Sequence, residues 1–137
     1  MRKFFLIFGF LVAIQFSFSQ SKKVFQQDYL LARTMFEDSN YLQAIDAFKL
    51  LTIENKNNPF SAYAYYFCGL SAYKAERYAD ARFILIEGEK NYPEWKKNDE
   101  RDYLLGVVLL AESDTARAIS YLENIEDENI LEDAHKL

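Results

Sequence analysis

Residues 62–93 read AYAYYFCGLSAYKAERYADARFILIEGEKNYP. Two helical runs meet there at a short polar turn, Ala75-Glu76-Arg77, with the small residues Gly69 and Ala81 where two helices would cross. The same skeleton returns 37 residues away on either side. Ala32, Gly69 and Gly106 are in register, as are Ala44, Ala81 and Ala118, then Phe48, Leu85 and Leu122, and finally Tyr29, Tyr66 and Tyr103. A fixed period of this size marks stacked helical hairpins, each of which hides its apolar face on the next. The expected fold is all-α, an α-solenoid of three helix-turn-helix repeats plus a short C-terminal helix. The repeats fall at about residues 25–58, 62–95 and 99–132.

The composition agrees with one packed domain. Of 137 residues, 50% are hydrophobic and 17% aromatic, which supplies a core and is unlike a disordered chain. Net charge is −5, and it becomes −7 once Arg2 and Lys3, the only charges of residues 1–19, are set aside. That balance argues against nucleic acid as a partner and against electrostatic docking on an anionic membrane. A single cysteine rules out an internal disulfide.

Residues 1–19 read as a signal peptide rather than as part of the fold. Arg2 and Lys3 precede the apolar run Phe4–Ile14, and Ser17-Phe18-Ser19 offers small residues at the two positions that a signal peptidase inspects. The run is too short for the roughly 20 residues of a membrane-spanning helix. Export is therefore expected, with residues 20–137 forming a soluble domain in the periplasm or cell envelope of a bacterium. No cysteine lies near the cut, so no lipid anchor is expected.

From Val24 onward the pattern is helical. Phe25, Tyr29, Ala32, Met35 and Phe36 recur at steps of three and four. Asp38-Ser39-Asn40 makes the first turn, and Tyr41, Ala44, Ile45, Phe48, Leu50 and Leu51 are placed on the inner side of the following helix. Asn58 is expected to cap the next helix, with Pro59 in its first turn. The second hairpin spans Phe60–Ala75 and Tyr78–Lys90. The third spans Asp102–Ala111 and Thr115–Ile125, with Asp99 as its cap and Glu112-Ser113-Asp114 as its turn. Ile130, Leu131, Ala134 and Leu137 give the short last helix its spacing. A glycine inside a helix costs about 1 kcal/mol relative to alanine. At Gly69 and Gly106, close approach of helices should offset that cost.

These residues resemble tetratricopeptide repeats. The central copy matches as Tyr65-x2-Cys68-Gly69, Tyr73, Tyr78-x2-Ala81-x3-Leu85 and Pro93. The first copy matches as Leu31-Ala32, Tyr41-x2-Ala44-x3-Phe48 and Leu51, and the third as Leu105-Gly106, Ala118-x3-Leu122 and Ile125. Asp28 and Asp102 depart from the usual large first residue, Thr115 from the turn tyrosine, and the period of 37 from the family's. The likeness covers residues 24–132. It implies a right-handed superhelix whose first helices line a concave groove. By register the groove would present Gln26, Tyr29, Arg33 and Phe36, then Tyr63, Tyr66, Leu70, Tyr73 and Lys74, then Tyr103, Val107 and Leu110. The lysine and asparagine set with which some members hold a peptide carboxylate is missing. Tyrosines offer a broad apolar face and a hydroxyl at small entropic cost, which suits a peptide. Packing between neighbouring first helices is the competing role for the column Tyr29, Tyr66, Tyr103.

Chemistry has little to stand on in this chain. Cys68 falls on a core-facing position, where a thiol behaves as a small hydrophobe. His135 is the only histidine, too few for a metal cluster and far from any nucleophile motif. Glu123, Glu126, Asp127, Glu128, Glu132 and Asp133 lack the glycine and alternation of a cation loop and read as a solvated helix face. Arg33, Lys74 and Arg77 are too few for a phosphate site. The expectation is a non-enzymatic scaffold of the cell envelope with no cofactor and no metal, binding a protein or peptide partner. The alternative is an N-terminal stacking module of a larger envelope protein, or a homo-oligomer joined through the C-terminal face.

Overall fold

The computed structural model describes residues 22–54, 58, 60–126 and 130. Six helices run along 22–126: α1 (22–37), α2 (Tyr41–Glu54), α3 (Ser61–Lys74), α4 (Tyr78–Asn91), α5 (Asn98–Ala111) and α6 (Thr115–Leu122). Among the described residues there is no strand. The helices pack in sequence order, α2 on α3, α3 on α4, α4 on α5 and α5 on α6, with a further contact from α3 to α5. The chain is a helical-repeat solenoid. The signal segment at 1–19 and most of the expected last helix lie outside the described residues; Ile130 is helical and partly buried. Among the described residues no helix is long and apolar enough to cross a membrane.

Each hairpin turns in the same way. Ser39, Glu76 and Ser113 have φ of 62°, 59° and 64°, and they stand 37 residues apart. At the first turn Asn40 N–H donates to the Met35 carbonyl (2.8 Å) and Ser39 N–H to Phe36 (3.0 Å). Arg77 to Ala72 (2.9 Å) with Glu76 to Tyr73 (2.9 Å), and Asp114 to Leu109 (2.8 Å) with Ser113 to Leu110 (3.0 Å), repeat the arrangement. This crossed pair of bonds around a left-handed residue is the Schellman ending of a helix, which satisfies carbonyls that have no partner inside it. Of α3 to α6 only α6 receives a side-chain cap, the Asp114 carboxylate accepting from Arg117 N–H at 3.2 Å.

The small residues sit where helices cross. Ala32, Ala44, Ala81 and Ala118 have no exposed surface, and Gly69 and Gly106 are buried. Phe48, Ile45, Leu85, Leu105 and Val108 fill the space between. Truncating a side chain as enclosed as Phe48 to alanine costs about 3–5 kcal/mol. Aromatic rings join the first hairpin to the second: Tyr29 meets Phe48 at 5.8 Å and Phe67 at 6.4 Å, and Phe48 stacks on Phe67 at 6.0 Å. Polar ties link the second to the third. Arg82 Nε donates to Glu112 Oε2 (2.7 Å), and the Tyr121 hydroxyl donates to Glu89 Oε2 (3.2 Å).

Several local expectations need correction. Asn58 does not cap α3 through its side chain. Its Oδ1 accepts from Phe60 N–H (2.9 Å) and its carbonyl from Ser61 N–H (2.9 Å), a turn just ahead of the helix, whose N-cap is Phe60. Helix α5 begins four residues earlier than expected, at Asn98, so Asp99 lies in its first turn and Asp102 beyond it. Asp99 Oδ2 instead accepts from Glu126 N–H at 3.0 Å, tying down the chain after α6. Helix α6 stops at Leu122 rather than Ile125. Leu50, placed inward from the sequence, faces outward with 59% of its surface exposed.

Candidate interaction surface

The first helices α1, α3 and α5 carry every residue assigned to the groove, because positions 37 apart fall on equivalent faces. The structure gathers them into two seams. In the α1–α3 seam, Tyr29, Arg33 and Phe36 converge on Phe67. The Arg33 guanidinium lies 4.0 Å from the Phe67 ring centre and pairs with Glu37 Oε1 at 3.0 Å, while Phe36 meets Phe67 edge-on at 5.8 Å. A guanidinium over a ring face is held by the ring quadrupole. Burial pushes the Tyr29 hydroxyl above its ordinary range, even with Arg33 beside it.

In the α3–α5 seam, Tyr63 and Tyr66 meet at Trp95, with ring centres 5.1 Å and 5.7 Å away. Burial is also what raises the Tyr66 hydroxyl, with Glu100 adding to it. Leu70 is partly buried against the core, and Tyr73 leans on Tyr78 at 5.8 Å. Lys74 and Gln26 point to solvent. Tyr103 and Val107 are half-buried, and Leu110 is exposed. Of the tyrosine column, Tyr29 and Tyr66 are thus seam residues, and all three tyrosines keep part of their surface outward. Both of its readings, packing and contact with a partner, have surface to act through.

One feature had no place in the sequence expectation. Beside Tyr63 a cleft of about 550 Å³ opens between the start of α3 and the α4–α5 connection, lined by Phe60, Tyr63, Tyr92, Pro93 and Trp95, with Glu94 and Lys96 at its edge. That volume falls within the range of small-ligand and peptide-side-chain pockets. The signal available was the aromatic density at both segment ends, Phe60, Tyr63, Tyr65 and Tyr66 against Tyr92 and Trp95. Arg101 supports the wall from below. It is buried, pairs with Asp102 (3.1 Å) and donates to the Tyr92 carbonyl (3.4 Å).

Cys68 is 1% exposed, and its thiol donates to the Ile45 carbonyl across α2 and α3 at 3.5 Å. Burial pushes that thiol up to about 12, so it stays protonated. Among the described residues no group of three histidine, cysteine, aspartate or glutamate side chains could hold a metal ion. His135 and the acidic residues from 127 on lie outside the described residues, Glu123 and Glu126 being exposed. In comparisons with protein families, with curated proteins and with solved structures, nothing matches the chain.

Proposed function

We propose that this chain is an exported, non-catalytic scaffold of the tetratricopeptide type, which binds a peptide segment of another cell-envelope protein on its first-helix side. The observation that carries the reading is the aromatic cleft at Phe60, Tyr63, Tyr92 and Trp95, continuous with Tyr66 in the α3–α5 seam. Rings at the edge of a groove bring apolar area with few rotors to freeze, which favours peptide capture. Export rests on the order of basic, apolar and small residues in 1–19.

The test uses the single tryptophan. Peptides selected from a displayed library on the full chain are titrated while Trp95 fluorescence is followed. A saturable emission shift that Tyr63→Ala weakens about tenfold or more, with circular dichroism unchanged, is the expected result. Selected peptides that leave Trp95 emission unmoved, or that bind Tyr63→Ala equally well, place the site elsewhere.

A second reading, a stacking module whose third hairpin is covered by further protein, draws on Leu110. Its register equivalents Phe36 and Tyr73 are partly buried, whereas Leu110 is 47% exposed. Leu110→Glu lowering association in light scattering would favour it.

A further inference from the structure

The outer face of α2 carries Leu42, Asp46, Lys49 and Ile53, spaced four, three and four, which aligns them along one stripe of the helix. All four are exposed, Leu42 at 59% and Ile53 at 67%. Large apolar residues at both ends of a solvent-facing stripe are the kind of surface that docks against protein. The pair in the middle is equally informative. At four other places opposite charges three residues apart close on one another: Arg77 with Asp80, Lys90 with Glu87, Lys97 with Glu100 and Arg117 with Asp114. Asp46 and Lys49 have the same spacing, yet among the described residues they form no ion pair.

Read from either end, the stripe is apolar, charged, oppositely charged, apolar. An antiparallel two-fold pairing centred between Ala47 and Phe48 sets Leu42 against Ile53 of a second copy. The same operation sets Asp46 against Lys49 of that copy, twice over, as an isologous contact requires. A parallel pairing would place Asp46 on Asp46 and Lys49 on Lys49, so charge fixes the orientation. Phe83 on α4, 66% exposed, lines one shallow depression with Ile53 and Lys49 and widens the apolar margin on that side. We propose that α2 is the contact helix of an antiparallel homodimer, the occupant of its outer face being α2 of a second copy of this chain. The stripe on α2 shares no residue with the peptide cleft, and either site can stand without the other.

Charge reversal tests it without touching the core. Sedimentation of the full chain over a wide concentration range is expected to show reversible dimers. Asp46→Lys or Lys49→Asp alone should weaken association about tenfold or more, and the double exchange should restore it, because the cross-copy pairs are regenerated. A covalent arm checks the register. Leu42 and Ile53 are about 16 Å apart along one helix, too far for a disulfide within a chain. The variant carrying both Leu42→Cys and Ile53→Cys should therefore form a cross-linked dimer under oxidation, and Leu42→Cys alone should not. A monomer at every concentration, single reversals without effect, or cross-linking through Leu42→Cys alone overturns the proposal.

Discussion

The Cβ that Gly69 lacks would stand 2.6 Å from Cγ of Leu85. One period later the Cβ missing from Gly106 would stand 2.6 Å from Cγ of Leu122. Two hairpins with different sequences thus reach one helix separation, and the same pair of repeat positions sets it in both.

Gly69→Ala should destabilise the protein by about 1–3 kcal/mol, although alanine is the better helix former by about 1 kcal/mol. The contact falls on the branch carbon of Leu85, which cannot swing aside as a side-chain tip can. Chemical denaturation of Gly69→Ala and Gly106→Ala checks this. A gain in stability at both sites would mean that the helices are free to separate.

Glu76→Gly should stabilise by about 0.5–1 kcal/mol. The left-handed conformation costs an ordinary residue about 1–2 kcal/mol, against the smaller entropy that glycine adds to the unfolded chain. Ser39→Gly and Ser113→Gly should act alike, since all three turns share one geometry. The midpoint of urea unfolding reports the change, and Glu76→Val should shift it the other way.

Cys68 predicts an alkaline slope. Its thiol, ordinarily near 9, is pushed up to about 12 by burial. The unfolded chain therefore loses this proton first. Stability from the buried thiol is complete below pH 9 and falls as pH rises toward 12, by up to about 1.4 kcal/mol per pH unit. Tyrosines and lysines titrate in the same range, so the comparison is with Cys68→Ala, whose slope between pH 9 and 10.5 should be shallower. Folded protein should also resist thiol reagents at pH 8.

Arg82 and Glu112 join the second hairpin to the third turn with two bonds, of 2.7 Å and 3.4 Å. The pair is partly exposed, so a double-mutant cycle with alanine should give about 0.5–1 kcal/mol of coupling, diminishing with added salt. Coupling that is indistinguishable from zero at low salt would make the contact incidental.

The repeat was legible in the sequence because glycine or alanine stands at the helix crossings, and two such positions recur three times on one period. The starts of α3 and α5 were less so. Asn98-Asp99-Glu100-Arg101 has no apolar rhythm to announce a helix, and Arg101 is buried through its pairing with Asp102, which charge alone would not foretell. The left-handed residue at Glu76 was hidden because glutamate carries none of glycine's signal. For the surface, register placed the tyrosines on the first helices, but the seams that half-cover them depend on Phe67 and Trp95, which have no counterpart in all three copies. Leu50 shows the limit of periodicity. A rich apolar run such as Phe48–Ile53 contains more greasy residues than one helix face can hide, so some must turn to water.

From α2 to α6 each helix packs on the one beside it or the one after that, and among the described residues these helices show no packing of α2 on the third hairpin. Order in such a chain can spread from any hairpin that happens to form first, and loss can begin at either end while the middle stays intact. Hydrogen exchange should accordingly be graded along the array, slowest around α3 and quickest toward α6, a gradient and not a single melting event.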